Sequence, residues 1–188
     1  ESELLVEANS LEMKFYSVTS LKPTAVTEVL SCSFSGANVT NVVLAKGNVL
    51  EIRTFESNLT DAGGMDVDGE DPSHSLVPLE DLTLNGRVVS MHAFRPKDEL
   101  QDRLFVLTEH KHFCVLGYEA EAKKVTTLAC GNLESVVGRH PESGIRCIMD
   151  PMNRMIAMIL YDGHLKLLPM NANGGFLPAF DERILSIT

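Results

Sequence analysis

Two histidines and a cysteine at alternate positions form the most suggestive chemical pattern in the sequence: His110, His112 and Cys114. Alternate residues of a β-strand point to the same face, and imidazole and thiolate are the ligands that Zn²⁺ prefers. A closed zinc site needs a fourth ligand, and no further His or Cys lies at a spacing that supplies it. Because the three residues straddle a predicted turn, we interpret them as a polar hairpin tip. A metal-binding enzyme that uses such residues as ligands stays open as the alternative hypothesis of another class.

An acidic segment, Asp66-Val-Asp-Gly-Glu-Asp71, is similar in composition to a calcium-binding loop. An EF-hand loop has Gly at its sixth position and Glu at its twelfth. Counted from Asp66, these positions hold Asp71 and Val77. The segment is therefore predicted to be part of a solvated acidic loop, which we place at residues 57–78.

Motifs of nucleophilic or phosphate chemistry are missing from the sequence. There is no G-x-S-x-G elbow, and the pairs Gly63-Gly64 and Gly174-Gly175 lack the lysine of a phosphate-binding loop. We therefore predict no catalytic, cofactor-binding or metal-binding residue, no cofactor, and a protein that is not an enzyme. The turn Phe94-Arg-Pro-Lys97 is either an exposed binding epitope or a strand end closed by proline, and no partner-binding residue is assigned.

The charge balance indicates the kind of partner. The 188 residues carry 16 Lys and Arg against 26 Asp and Glu, a net charge of −10. Phosphate recognition needs clustered cations, and Lys123-Lys124 is the one adjacent basic pair. The longest apolar run, 155–161, is far shorter than the roughly 20 residues that cross a bilayer. These observations favour protein partners over nucleic acid or membrane.

Cysteine usage indicates a reducing compartment. The four cysteines are far apart and include no C-x-x-C pair: Cys32, Cys114, Cys130 and Cys147. We predict that they are reduced thiols buried in the core. No apolar segment with a cleavage site opens the sequence, so we expect no signal peptide. Residues 1–12 are interpreted as an N-terminal extension or tag remnant, with Met13 as a candidate start.

Strand signals dominate the elements that must position these residues. Three pairs of apolar runs, each separated by turn residues, are predicted hairpins: 41–45 with 49–55, 104–108 with 113–118, and 155–160 with 164–170. Further strands are predicted between them, at 30–34, 79–84, 87–94, 125–128 and 145–149. The fold class is therefore all-β.

The hairpins recur along the chain, with offsets of 62 and 51 residues between their first strands. The larger offset contains the acidic loop, and removing about 11 of its residues restores the shorter period. Four short strands in roughly 40–50 residues are typical of a β-propeller blade. We therefore predict a WD-like β-propeller that is partial, with about three to four blades of a larger ring. An incomplete ring exposes blade faces and sheet edges, so the segment alone is expected to aggregate.

An ordered series of short motifs resembles one known family. The series begins with Lys22-Pro-Thr-Ala-Val26 and Phe94-Arg-Pro-Lys97, and it continues through Asp102-x-Leu-Phe-Val-Leu-Thr108, Asp150-Pro151 and Tyr161-Asp-Gly163. In order and spacing, from Met13 to Arg183, these motifs are similar to the large-subunit family of damage-specific DNA-binding proteins. Residues 1–12 have no counterpart in it, and the acidic loop is longer than the family leads one to expect.

The resemblance implies a longer protein with three seven-bladed propellers that serves as a non-catalytic adaptor of cullin-4 RING ubiquitin ligases. In that family the adaptor binds the cullin-4 scaffold and WD-repeat substrate receptors, and it acts in DNA damage recognition and nucleotide excision repair. Damaged DNA is recognised mainly through a partner subunit. Residues 13–188 are then expected to be the first part of the N-terminal propeller, next to its remaining blades.

The resemblance also implies a location in the nucleus and cytoplasm. A homologous large propeller subunit of a spliceosomal or polyadenylation complex is the alternative of the same fold.

Overall fold

The computed structural model describes residues 21–57, 74–134 and 138–184, and these residues form three antiparallel sheets of four strands each. The first sheet, blade 1, contains β1 (Glu28–Cys32), β2 (Asn41–Lys46), β3 (Val49–Ser57) and β4 (His74–Thr83). Blade 2 contains β5 (Val88–Phe94), β6 (Arg103–Thr108), β7 (His112–Glu119) and β8 (Lys124–Asn132). Blade 3 contains β9 (Arg146–Met149), β10 (Met155–Tyr161), β11 (His164–Pro169) and β12 (Phe180–Arg183).

Each blade is a meander in which consecutive strands pair with one another. The first strands lie together, since β5 contacts both β1 and β9, and the last strand of each sheet lies at its opposite edge. The three sheets therefore fan out from a common side, as blades do around a propeller axis. Within the described residues no helix is long and apolar enough to span a membrane.

Two hydrophobic cores hold the blades together, and β6 contributes to both. Leu104 and Val106 pack in the core between blades 1 and 2, whereas Phe105 and Leu107 pack in the core between blades 2 and 3. All four side chains are fully buried. Successive residues of a strand point to opposite faces, so an uninterrupted apolar run is what a strand covered on both faces requires.

The prediction of an all-β, partial propeller is confirmed by this architecture. The strands run further than their apolar signals, most clearly in β4, which begins at His74 and pairs Ser57 with His74. Residues 74–78 of the predicted acidic loop are therefore strand. Pro78 is tolerated there because it pairs with Arg53 directly beside a register shift and lies on an edge strand, where a missing N–H costs the ladder little.

The rest of the acidic loop, residues 58–73, and the predicted extension 1–12 with Met13 lie outside the described residues. One strand was not predicted at all. β12 is exposed at every position and has the sequence Phe-Asp-Glu-Arg, so neither a buried run nor an alternating pattern marks it.

Candidate functional site

A cleft of about 310 Å³ lies between blades 2 and 3 at the end of β5. Three chain segments form its walls: residues 94–97, residues 152–153, and a turn after β11 that includes Met170, Asn171, Ala172 and Gly174. The motif Phe94-Arg-Pro-Lys97, for which the sequence left two interpretations open, thus forms one wall of the cleft.

The 94–97 segment is anchored on one side and exposed on the other. Phe94 and Pro96 are buried, and Arg95 and Lys97 are exposed. The Lys97 N–H donates to the Ala172 carbonyl at 3.0 Å, and the Asn153 side-chain amide donates to the Arg95 carbonyl at 3.3 Å. Both interpretations of the motif are therefore compatible with its position: β5 ends there, and the two cations face solvent.

The opposite wall approaches this segment closely because it contains a glycine. Asn171 Oδ1 accepts hydrogen bonds from the backbone N–H groups of Asn173 and Gly175, at 3.0 and 2.8 Å, and so shapes the turn. Gly174 has φ of +74°, and a Cβ built on it would lie 2.9 Å from Pro96 Cγ. Both the backbone conformation and the contact require glycine.

One rim of the cleft is tied to blade 1 through a carboxylate. Arg95 Nε donates to Asp102 Oδ1 at 2.8 Å, and Asp102 Oδ2 accepts the N–H of Ser33 at 2.7 Å. Asp102 in turn donates its own N–H to the Ser33 carbonyl at 2.9 Å. The Arg95 guanidinium is therefore held in place by a residue that also links blades 1 and 2.

A second ion pair lies next to the lining residue Asn153. Arg154 donates to both Asp150 carboxylate oxygens, at 2.7 and 3.1 Å. These hydrogen bonds lower the pKa of Asp150 to about 2. The pair is a fork-type contact of the kind that fixes a guanidinium in one orientation.

The side chains that line the cleft are of types that contact a ligand through charge, hydrogen bonds and apolar surface. Its described lining residues supply two exposed cations, two side-chain amides and the apolar surface of Met152 and Met170. They include no hydroxyl, thiol, imidazole or carboxylate group, so that the exposed amine of Lys97 is their one side chain of a type used as a nucleophile or general base. Such a surface suits a peptide segment that presents carbonyl or carboxylate oxygens beside an apolar side chain.

The zinc hypothesis finds no site in the part of the chain that the structure describes, where no group of three or more His, Cys, Asp or Glu side chains could hold a metal ion. His112 and Cys114 share a face of β7, but His110 lies in the β6–β7 turn with its ring 3.8 Å from the Glu109 carboxylate. The acidic segment 66–71 lies outside the described residues.

The thiols are all free, as predicted, but their burial differs from the prediction. Cys32 is buried, Cys114 and Cys147 are partly buried, and Cys130 is exposed. The prediction of four buried thiols is wrong for Cys130 because this residue lies on β8, an edge strand of blade 2.

Two of the three walls of the cleft could not be predicted from the sequence. The run Asn171-Ala-Asn-Gly-Gly175 carries a turn signal, but a turn signal alone does not reveal which strand end the turn will face. Met152 and Asn153 belong to the turn signal Asp150-Pro-Met-Asn153, and Asn153 has the positive φ of +55° that such a turn uses, but the signal does not reveal which segment the turn will face.

Comparisons with known proteins agree with the architecture. Residues 25–176 match the family model described as "RSE1/DDB1/CPSF1 first beta-propeller". The chain is 36% identical over 169 residues to a protein of Oryza sativa subsp. japonica named DNA damage-binding protein 1. It is equally similar to a protein of that name from Solanum lycopersicum and 34% identical to DNA damage-binding protein 1b of Arabidopsis thaliana.

These matches cover 90% of this chain but only 14% of each relative. The chain therefore spans about one seventh of the length of the curated relatives it matches.

Proposed function

Because the chain belongs to the RSE1/DDB1/CPSF1 first-propeller family, we propose that it is a segment of a non-catalytic scaffold that holds protein partners together. In its specific form, the proposal is an adaptor of a cullin-4 RING ubiquitin ligase. The whole protein would recruit WD-repeat substrate receptors to the cullin-4 scaffold and would act in DNA damage recognition and nucleotide excision repair.

The observation that carries this proposal is the similarity of 34–36% over 90% of the chain to proteins named DNA damage-binding protein 1. The net charge of −10 supports the proposal that contact with DNA runs through a partner subunit rather than through this segment, since a phosphate-binding surface needs clustered cations. Propeller blades present loops on a rigid frame, which suits a scaffold. We also propose a location in the nucleus and cytoplasm for the whole protein, which the family resemblance implies.

Within this scaffold, the cleft between blades 2 and 3 is our candidate for a partner contact. Its exposed cations, Arg95 and Lys97, stand out on an acidic chain, and they would attract an acidic segment of a receptor. Arg95 is already paired with Asp102, so Lys97 is the better residue to test.

A second candidate function belongs to another group of proteins with the same propeller fold. The description of the matching family model includes RSE1 and CPSF1, which supports a place in a spliceosomal or polyadenylation complex as the alternative. The relatives described above carry the name DNA damage-binding protein 1, and for that reason the ligase adaptor is our first proposal.

Affinity purification of the full-length protein from its own cells, followed by mass spectrometry, tests both candidates. Recovery of a cullin, a RING subunit and several WD-repeat proteins is the expected result. Recovery of splicing or polyadenylation subunits in their place would overturn the proposal of a ligase adaptor, while the more general proposal of a scaffold would stand.

The same purification tests the cleft. Lys97→Glu is expected to lower the yield of one or more receptors, whereas Lys124→Glu, which makes the same charge change at an exposed position of β8, is expected to leave it unchanged. Equal yields from both variants would exclude Lys97 from the contact.

A further inference from the structure

Cys114 and Cys130 lie directly opposite each other on the paired strands β7 and β8. Directly opposed residues of an antiparallel pair point to the same face, with Cβ atoms about 4.5–5.5 Å apart. A disulfide needs Cβ atoms about 3.5–4.5 Å apart and Cα atoms closer than about 7 Å. A small approach of the two strands is therefore enough to bring the sulfur atoms into bonding distance.

The ladder is irregular at the position next to the thiol pair. Val115 pairs with Ala129, but Leu116 pairs with Thr127, so Leu128 is an extra residue in β8. A bulge of this kind interrupts the ladder locally and bends the bulged strand. The strand segment that would have to move is thus the one with the least regular pairing.

The two thiols differ in access. Cys130 is exposed, whereas Cys114 is partly buried against the core between blades 1 and 2. Blade 2 has blade 1 on one face and blade 3 on the other, so the exposure of Cys130 exists with both neighbouring blades in place. Burial, with a smaller contribution from Cys130, raises the pKa of Cys114 to about 11, which keeps Cys114 a neutral thiol at physiological pH.

We propose that Cys130 and Cys114 form a reversible oxidation site for hydroperoxides. The Cys130 sulfur attacks a peroxide oxygen and the O–O bond breaks, so that Cys130 becomes a sulfenic acid; the Cys130 proton leaves with the other peroxide oxygen as water or an alcohol. The Cys114 sulfur then attacks the sulfenic sulfur and forms the S–S bond; the S–O bond breaks and water leaves with the Cys114 proton. The peroxide accepts two electrons, and a dithiol reductant reverses the bridge.

The other two cysteines lack an opposed thiol and serve as internal controls. Cys32 pairs in register with Asn41, and Cys147 pairs with Met158. Burial raises the pKa of both thiols to about 12. The geometry thus selects one pair out of the four cysteines.

The test treats the full-length protein with hydrogen peroxide under native conditions, blocks free thiols, and digests without reduction. Trypsin cleaves after Lys123 and Lys124 and so separates the two cysteines. The expected product is a linked peptide pair, lighter by two hydrogens than the two reduced peptides together, that disappears on treatment with dithiothreitol. In Cys114→Ser, labelling of Cys130 by a sulfenic-acid reagent is expected to rise several-fold, and Cys147→Ser is expected to behave as the unsubstituted protein.

Absence of the linked pair, together with equal sulfenic labelling in Cys114→Ser and the unsubstituted protein, would overturn the proposal. The linked pair is sought in the unsubstituted, folded protein, so the central result does not depend on whether a variant folds. Circular dichroism of each variant checks that changes in labelling come from the missing thiol.

Discussion

Gly174 shows how a single residue sets the distance between two walls of the cleft. It shares its left-handed backbone with Gly144, at φ of +74° and +76°. A Cβ at 174 would meet Pro96 and Phe94 at 2.9 and 3.0 Å, whereas a Cβ at 144 would meet nothing within 4 Å. The two positions therefore separate backbone strain from crowding.

We expect Gly174→Ala to destabilise its turn more than Gly144→Ala destabilises its own. Both variants lose about 1–2 kcal/mol because alanine disfavours the left-handed conformation, and Gly174→Ala loses a further 1–3 kcal/mol, approximately, from overpacking. Native-state hydrogen exchange around each turn measures the local free energy of opening. Equal losses of local stability at the two positions would mean that the segment with Pro96 moves away from the added methyl group at no cost in free energy.

A second prediction at the residue scale concerns pH. Hydrogen bonds from Arg154 hold the pKa of Asp150 at about 2, below its ordinary 3.8. The folded state therefore gains from this carboxylate above pH 4, approximately, and that gain fades as pH falls toward 2. In Arg154→Met the pKa of Asp150 should rise toward its ordinary value, measured by NMR titration of the carboxyl group.

Arg146→Met is the matched control for this titration, since Arg146 is exposed on the neighbouring strand β9. It should leave the Asp150 titration unchanged. A pKa of Asp150 that stays near 2 in Arg154→Met would show that backbone N–H groups, rather than the guanidinium, stabilise the charge.

At the scale of elements, two carboxylates besides Asp102 join blades 1 and 2, one at each edge of their interface. Glu28 on β1 accepts the N–H of Met91 on β5 at 3.0 Å. Glu80 on β4 accepts the N–H of Val125 on β8 at 2.9 Å. The first hydrogen bond lies on the common side where the first strands of the blades come together, and the second lies at the opposite edge, between the last strands. Together they limit rotation of one sheet against the other.

Glu80→Ala is expected to release the outer of these two contacts. The Val125 N–H loses its acceptor in a partly buried place, which costs about 1–3 kcal/mol. We expect faster amide exchange in β8 by hydrogen-exchange mass spectrometry of the full-length protein, and little change in β5. Glu121→Ala, in the exposed β7–β8 turn, is the control; if it speeds exchange in β8 equally, the hydrogen bond is not responsible.

At the scale of the whole molecule, blades 1 and 3 each have a face that no described blade covers. Val29 on β1 is 63% exposed and Ile148 on β9 is 67% exposed, although their strand neighbours Leu30 and Cys147 pack inward. In a complete ring such faces pack against further blades. A charged substitution on such a face is therefore expected to have opposite effects in the isolated segment and in the full-length protein.

Ile148→Glu is expected to reduce aggregation of the isolated segment and to destabilise the full-length protein. The charge breaks an apolar surface that is exposed in the segment but would be buried against the next blade in the ring. Leu100→Glu, at a loop position that is 73% exposed, should be neutral in the full-length protein. Sedimentation and thermal unfolding measure the two effects; a sharp two-state melt of a monomeric, unsubstituted segment would contradict the open-ring interpretation.

The sequence predicted the strands that are buried on two faces and missed what depends on distant partners. β6 and β10 could be predicted because each is an uninterrupted apolar run bounded by turn residues, which is typical of a strand covered on both faces. β12 was missed because its residues are exposed, and the start of β4 was missed because His74 and Pro78 resemble loop residues until β3 is placed beside them. The cleft could not be predicted for the same reason, because its three walls come from segments that meet only when blades 2 and 3 stack.

The two-faced strand β6 has a consequence for how blade 2 finds its alignment. A strand with one apolar face is held in register by hydrophobicity, because a slip of one residue would turn that face to water. A slip in β6 would exchange Leu104 and Val106 with Phe105 and Leu107 and leave four apolar side chains inside. Alignment must therefore come from the β6–β7 turn, where Lys111 has φ of +58° and Thr108 Oγ1 donates to the His112 carbonyl. In such a blade, the strands contribute the buried apolar surface, and the turn determines the register in which the strands pair.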